Sequence, residues 1–186
     1  RNSASPEAMA TAETVLTIPD FCLVLLVGVS GAGKSTFAAR HFRPTEIVSS
    51  DTCRALVSDD ESDQSASAAA FDLVHLITEK RLAARRLTVI DATNLKGRDR
   101  QPLLALARRF HAPVVIFAFL LDPATCVARN RERGADGGRD VGAEVVAMQQ
   151  TELRSGMPDL RRSGNLTTFG TAAAVDRITQ VRRVRP

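Results

Sequence analysis

Gly28-Val29-Ser30-Gly31-Ala32-Gly33-Lys34-Ser35-Thr36 fits the pattern G-x-x-x-x-G-K-[ST] without a mismatch. In that pattern backbone amides cradle nucleotide phosphates. Upstream, the unbroken apolar run Phe21-Cys22-Leu23-Val24-Leu25-Leu26-Val27 predicts a strand buried on both faces. Downstream, Thr36-Phe37-Ala38-Ala39-Arg40 predicts the first turns of a helix. Strand, glycine loop and helix N-terminus in that order gather N–H groups around an anion. The expected ATP contacts are therefore Gly28, Ser30, Gly31, Ala32, Gly33, Lys34, Ser35 and Thr36. Lys34 is placed to reach the β- and γ-phosphates, and the Ser35 hydroxyl to bind Mg²⁺.

Working outward, helix and strand patterns alternate. A helix runs from the loop to about Phe42 and stops before Pro44. Thr45–Ser49 reads as a short strand that delivers Ser50-Asp51 to its carboxyl end, and 52–57 as a helical turn. Residues 58–65 form an acidic loop, followed by a long helix over 66–86. Leu87–Ile90 is a third strand ending in Asp91-Ala92-Thr93-Asn94, and 98–110 a helix. Val114–Leu121 is a wholly apolar strand, and Asp122-Pro123 then caps and opens a helix. Gly134-Ala135-Asp136-Gly137-Gly138 breaks that helix, and 141–155 resumes it. A weak strand at 166–169 and a last element at 178–184 close the chain. The pattern predicts a P-loop α/β fold: a five-stranded parallel sheet, phosphate-loop strand central, helices on both faces. Residues 1–18 are expected to be a tag or lead-in, and 19–186 one domain with an Arg-bearing helical lid near 123–155.

Composition narrows the class. With 186 residues and 44% hydrophobic content, the chain suits one domain with a sizeable core. It has no Trp or Tyr, which argues against a base-stacking surface for single strands. The formal charge of +4 is compatible with a phosphate-rich partner and with an ordinary solvated surface. Cys22, Cys53 and Cys126 are too few for a disulfide framework and point to reduced thiols in a cytoplasmic setting. The apolar run at 21–29 is too short to span a bilayer, so no membrane partner is expected. His41, His75 and His111 have no metal-ligand spacing. The sequence leaves a homodimer open.

Several residues carry chemistry beyond the loop. A guanine-specific switch needs Asn-Lys-x-Asp, and Asn94-Leu95-Lys96-Gly97 does not supply it. Val89-Ile90-Asp91 is followed by Ala92 and not by Glu, so Asp91 reads as a carboxylate orienting Mg²⁺ or its waters. Asp51 and Arg54, spaced i and i+3, share one face of a helical turn beyond a strand end. An Asp there can accept a proton from an attacking hydroxyl, and the Arg can hold an anionic part of the acceptor. The competing reading is a surface ion pair of little consequence. Arg129, Arg133 and Arg139 border the glycine break and can cover the ATP phosphates. Arg131 belongs to a solvated face.

In order along the chain stand the phosphate loop, Ile47-Val48-Ser49-Ser50-Asp51-Thr52-Cys53-Arg54, Asp59-Asp60-Glu61-Ser62-Asp63-Gln64, Ala70-Phe71-Asp72, Val89-Ile90-Asp91-Ala92-Thr93-Asn94 and Ala128-Arg129-Asn130. This series resembles the kinase module of bacterial polynucleotide kinase–phosphatase–ligase proteins, which heal and seal broken RNA. The resemblance covers roughly residues 20 to 155. It implies transfer of the γ-phosphate of ATP, or another NTP, with Mg²⁺, to a 5′-OH end of RNA or DNA. It implies Asp51 as general base, Arg54 on the reacting end, and Lys34 and Ser35 on the phosphates and metal. Gln64, Thr93 and Asn94 join Asp51 and Arg54 as acceptor contacts, and Arg129 and Arg139, with Arg133 beside them, cover the ATP phosphates. It further implies phosphatase and ligase modules of a longer chain as partners. Two other readings share the loop: a kinase for a small metabolite or antibiotic hydroxyl, and a nucleotide-dependent binding module. Arg54 and the basic charge favour a polyanionic acceptor.

Overall fold

A computed structural model describes residues 14–136 and 140–185. Its centre is a five-stranded parallel sheet of β2 (Leu23–Gly28), β3 (Ile47–Ser49), β4 (Thr88–Asp91), β5 (Val114–Phe119) and β6 (Asn165–Phe169). The spatial order is β3-β4-β2-β5-β6, so the phosphate-loop strand is central. Every residue of β2 is buried, as its unbroken apolar run requires.

The crossovers explain the layers. The connection β2–β3 contains α1 (Lys34–His41) and runs toward one edge. The connections through α2 (Ser50–Ser58) and α3 (Ser67–Ala83), through α4 (Gly97–Arg109), and through α5 (Pro123–Ala135) and α6 (Gly142–Ser163) all run the other way. Right-handed crossovers therefore place α1 on one face and the others on the opposite face. There α3 packs on α4 and α4 on α6. On the α1 face the phenylalanines make the core. Phe37 meets Phe117 and Phe119 at 5.4 Å between ring centroids and Phe169 at 5.7 Å.

Several boundaries differ from the sequence expectation. The lead-in assigned to 1–18 gives way at Thr14, where β1 (Thr14–Pro19) pairs in parallel with β7 (Ile178–Val184) in a separate two-stranded sheet. Only Ile18 of β1 is buried, so alternation is too weak to announce the strand. A double hydrogen bond from Arg183 to Glu46, at 2.8 and 2.6 Å, ties this ribbon to the turn before β3. The turn expected at 52–57 is the full helix α2, which begins at Ser50 with Ser49 as its cap. Helix α6 continues past 155 to Ser163, and a short helix α7 (Ala172–Asp176) follows β6. The glycine break lies partly outside the described residues, Gly137, Gly138 and Arg139 among them.

Candidate active site

Parallel pairing aligns the carboxyl ends of three strands. Leu26 of β2 is opposite Asp91 of β4, and Asp91 is opposite Ser49 of β3. The phosphate loop, the segment after β4 and the start of α2 therefore open onto one edge, where ligands bind in open α/β sheets. They surround a cleft of about 660 Å³. Ser30 to Thr36, Asp51, Arg54, Gln64, Asp91, Thr93, Arg129 and Arg133 all line it.

The loop conformation needs its glycines. Gly31 and Gly33 have φ of 80° and 89°, the left-handed region that favours glycine. A Cβ at Gly31 would lie 2.3 Å from the Cys126 carbonyl, so α5 presses directly on the loop. Gly28 is not part of the cleft wall. Its N–H donates to the Thr93 carbonyl at 3.1 Å, and its own carbonyl accepts from Lys34.

Lys34 is buried, and its Nζ donates to the carbonyls of Gly28 and Val29, both at 2.9 Å. Burial pushes its pKa down from 10.5 to about 8, with the Asp91 and Asp51 carboxylates pulling the other way. The sign follows from linkage. Between about 8 and 10.5 the folded protein has lost a proton that the unfolded chain keeps, so Lys34's contribution to stability rises with pH there. Nucleotide phosphates favour the ammonium and raise its pKa again. ATP affinity should therefore fall as pH rises above about 8, with proton uptake on binding. Calorimetric ATP titrations in buffers of different ionisation enthalpy would read this directly. A flat affinity from pH 7 to 9.5 would contradict it.

Asp91 is buried, hydrogen-bonded to the Ser35 hydroxyl, and raised in pKa by that burial against the opposing pull of Ser35 and Lys34. A hydroxyl and a carboxylate side by side fit Mg²⁺, which takes few protein ligands and completes its shell with water and phosphate oxygens. No group of three or more His, Cys, Asp or Glu stands ready for a metal among the described residues.

Asp51 and Arg54 form more than a surface pair. Arg54 is 5% exposed while Asp51 is 53% exposed. Arg54 Nη1 donates to Asp51 Oδ1 at 2.6 Å and to the Glu61 carbonyl at 2.8 Å. Its Nε is buried with no hydrogen-bond partner among the described residues. Asp51 sits in the first turn of α2, where the helix dipole favours a carboxylate.

Asn94 does not join the cleft. It is buried, has φ of 50°, and donates its amide to the Leu26 carbonyl at 2.7 Å. Its amide ties the segment after β4 to β2. Arg139 lies outside the described residues, while Arg129 reaches to 3.3 Å from where a Gly33 Cβ would stand.

Sequence reasoning missed three contributors. Asn130, inside the Ala-Arg-Asn segment, is buried and donates to the Ser30 carbonyl at 3.0 Å. Gln149 of α6 accepts from the Ser30 N–H at 2.8 Å, with no local motif to mark it. Helix α7 supplies a far wall of Ala172, Val175 and Asp176, facing Arg40 of α1.

The fold has solved counterparts. A chain of the Pnkp1/Rnl/Hen1 RNA repair complex superposes with a TM-score of 0.65 at 24% identity, over 76% of this chain and 47% of that one. This chain thus spans about half the length of that relative. The AvrRxo1-ORF1:-ORF2 complex with ATP gives 0.64 at 18% identity, over 83% of this chain and 55% of that one. A gluconokinase from Sinorhizobium meliloti gives 0.55 at 16% identity, over 87% and 89% of the two chains. No curated protein sequence matches. No helix among the described residues is long and apolar enough to cross a membrane. Residues 23–155, which hold the phosphate loop, Asp51, Arg54, Asp91, all of α5 and the first part of α6, match the AAA domain family. The chain belongs to that family, and its fold is that of a P-loop kinase.

Proposed function

We propose that this domain transfers the γ-phosphate of a nucleoside triphosphate to the 5′-hydroxyl end of a polynucleotide. The observation that carries the acceptor side is Arg54: a buried guanidinium in the cleft wall, bonded to Asp51, whose Nε has no hydrogen-bond partner among the described residues. A buried cation beside a carboxylate, apart from the phosphate loop, suits an acceptor with its own phosphate next to the reacting hydroxyl. The similarity to a chain of an RNA repair complex supports the same reading.

The roles follow from position. The glycine loop and Lys34 hold the polyphosphate. Ser35 and Asp91 would hold Mg²⁺, which neutralises phosphate charge when bound. Asp51 accepts the proton of the acceptor hydroxyl as its oxygen bonds to the γ-phosphorus. The bond from that phosphorus to the β–γ bridging oxygen breaks, and the nucleoside diphosphate leaves with the electron pair. Arg129 and Arg133 face the same cleft and offset the charge on the transferring group. Arg54 orients Asp51 through the 2.6 Å bond and engages the acceptor's anion. Helices α5 and α6 cover the loop as its lid.

Acceptor length tests this reading. A 5′-OH oligonucleotide should be used far better than a free nucleoside, with a KM that rises with salt as counterion release requires. Arg54→Ala should raise the barrier for the oligonucleotide by about 2–4 kcal/mol, through loss of a desolvated charged contact. Equal use of nucleoside and oligonucleotide, without a salt effect, would point instead to a small-hydroxyl acceptor.

A further inference from the structure

Helix α6 touches the phosphate loop, the end of β5 and the segment after β4 at successive turns. Gln149 Oε1 accepts from the Ser30 N–H at 2.8 Å. Gln150, itself buried, donates to the Leu121 carbonyl just beyond β5 at 2.9 Å. Glu152 pairs with Lys96 at 3.0 Å. Gly156 brings the helix so close that a Cβ there would lie 3.0 Å from the Leu95 carbonyl. Asp159 accepts from the fully buried Arg100 at 2.5 Å. That guanidinium also donates to the carbonyls of Asn94 and Leu95, both at 2.7 Å. The helix is thus bound near its middle to the phosphate loop and nearer its C-terminal end to the segment that follows Asp91.

Both backbone polar groups of Ser30 are held from outside the loop. Its N–H is held by Gln149, and its carbonyl by Asn130 of α5, whose Oδ1 accepts from Arg133 at 2.7 Å. Ser30 precedes Gly31, a residue free to change its backbone conformation at little steric cost. Within the loop, the bond spanning Ser30 and Gly31 runs from the Ala32 N–H to the Val29 carbonyl at 3.2 Å, and it leaves the two polar groups of Ser30 itself to their external partners. Phosphate binding by the loop depends on where its amides point.

We propose that Gln149 is a positioning residue for the nucleotide. By accepting the Ser30 N–H it fixes the first half of the phosphate loop and couples that loop, through α6 and Arg100, to the segment bearing Asp91. The proposal rests on the donor half of the functional reading, the loop as a phosphate cradle, and not on the identity of the acceptor.

The test uses the whole protein, with amide hydrogen exchange followed by NMR in the absence of nucleotide, and ADP binding measured in parallel. In the wild type the Ser30 amide is protected. In Gln149→Leu it exchanges at least about tenfold faster and ADP binds about tenfold more weakly, the scale of one hydrogen bond. The amide of Leu25, in the central strand, does not change. Gln149→Glu keeps an acceptor oxygen and should keep Ser30 protected. Gln149→Asn, one methylene too short to reach, should behave like Gln149→Leu and serves if the Leu variant does not fold. Unchanged Ser30 exchange and ADP affinity in the Leu or Asn variant would overturn the proposal. So would faster exchange at Leu25 in step with Ser30, which marks general loosening. Failure of the wild type to bind ADP would remove the donor reading itself, and the proposal with it.

Discussion

Lys34→Ala should abolish phosphoryl transfer and weaken ATP binding while the fold survives. The Lys34 ammonium is the cation built into the loop, buried and already held by the Gly28 and Val29 carbonyls. Removing it takes a preorganised charge from the β- and γ-phosphates and leaves two carbonyl oxygens facing an anion. Loss of one such preorganised donor costs about 10²–10³ in rate, and a charged group acting on the transferring phosphate more. The fold should hold because the buried strand β2 and the phenylalanine cluster do not depend on this ammonium. Deleting a buried charge also removes a desolvation cost. Thermal unfolding beside a radiolabelled transfer assay separates the two effects. Full activity in Lys34→Ala would remove the phosphate-loop account.

Asp51→Asn should lower kcat by about 10²–10⁴ with little change in ATP affinity. The amide keeps the shape and can still accept a hydrogen bond from Arg54, but it cannot take up the acceptor proton. The position supports the role: Asp51 is half-exposed to the cleft, in the first turn of α2, and its oxygen is fixed by Arg54 at 2.6 Å. ATP affinity is spared because the phosphates are held by the loop at the end of β2, a separate element. Near-normal transfer in Asp51→Asn would reassign the base, and Asp91, also on the cleft wall, is the next candidate.

The sequence made the central sheet readable for a physical reason. A strand buried on both faces has to be apolar at every position, and Leu23–Gly28 and Val114–Phe119 are nearly so. The edge and ribbon strands were harder. Strand β1 buries only Ile18, and its pairing with β7 joins residues far apart in the chain. The site divides in the same way. Candidate groups carried by a motif, such as Lys34, Asp51 and Asp91, are visible because spacing alone puts them in the phosphate loop or at strand ends. Asn94 shows that a polar residue just past a strand can turn inward, here to the Leu26 carbonyl, which spacing alone does not reveal. Gln149 was invisible because its partner is Ser30, 119 residues away, and nothing local to α6 records that contact.

The most direct measurement places the label. The protein is incubated with γ-labelled ATP, Mg²⁺ and an equimolar mixture of a 5′-OH oligonucleotide, a free nucleoside and small polyols, and the labelled product is identified by mass spectrometry. The account predicts label on the 5′ end of the oligonucleotide, lost in Asp51→Asn and reduced in Arg54→Ala. Label on a small polyol, or release of phosphate with no labelled acceptor, would contradict it.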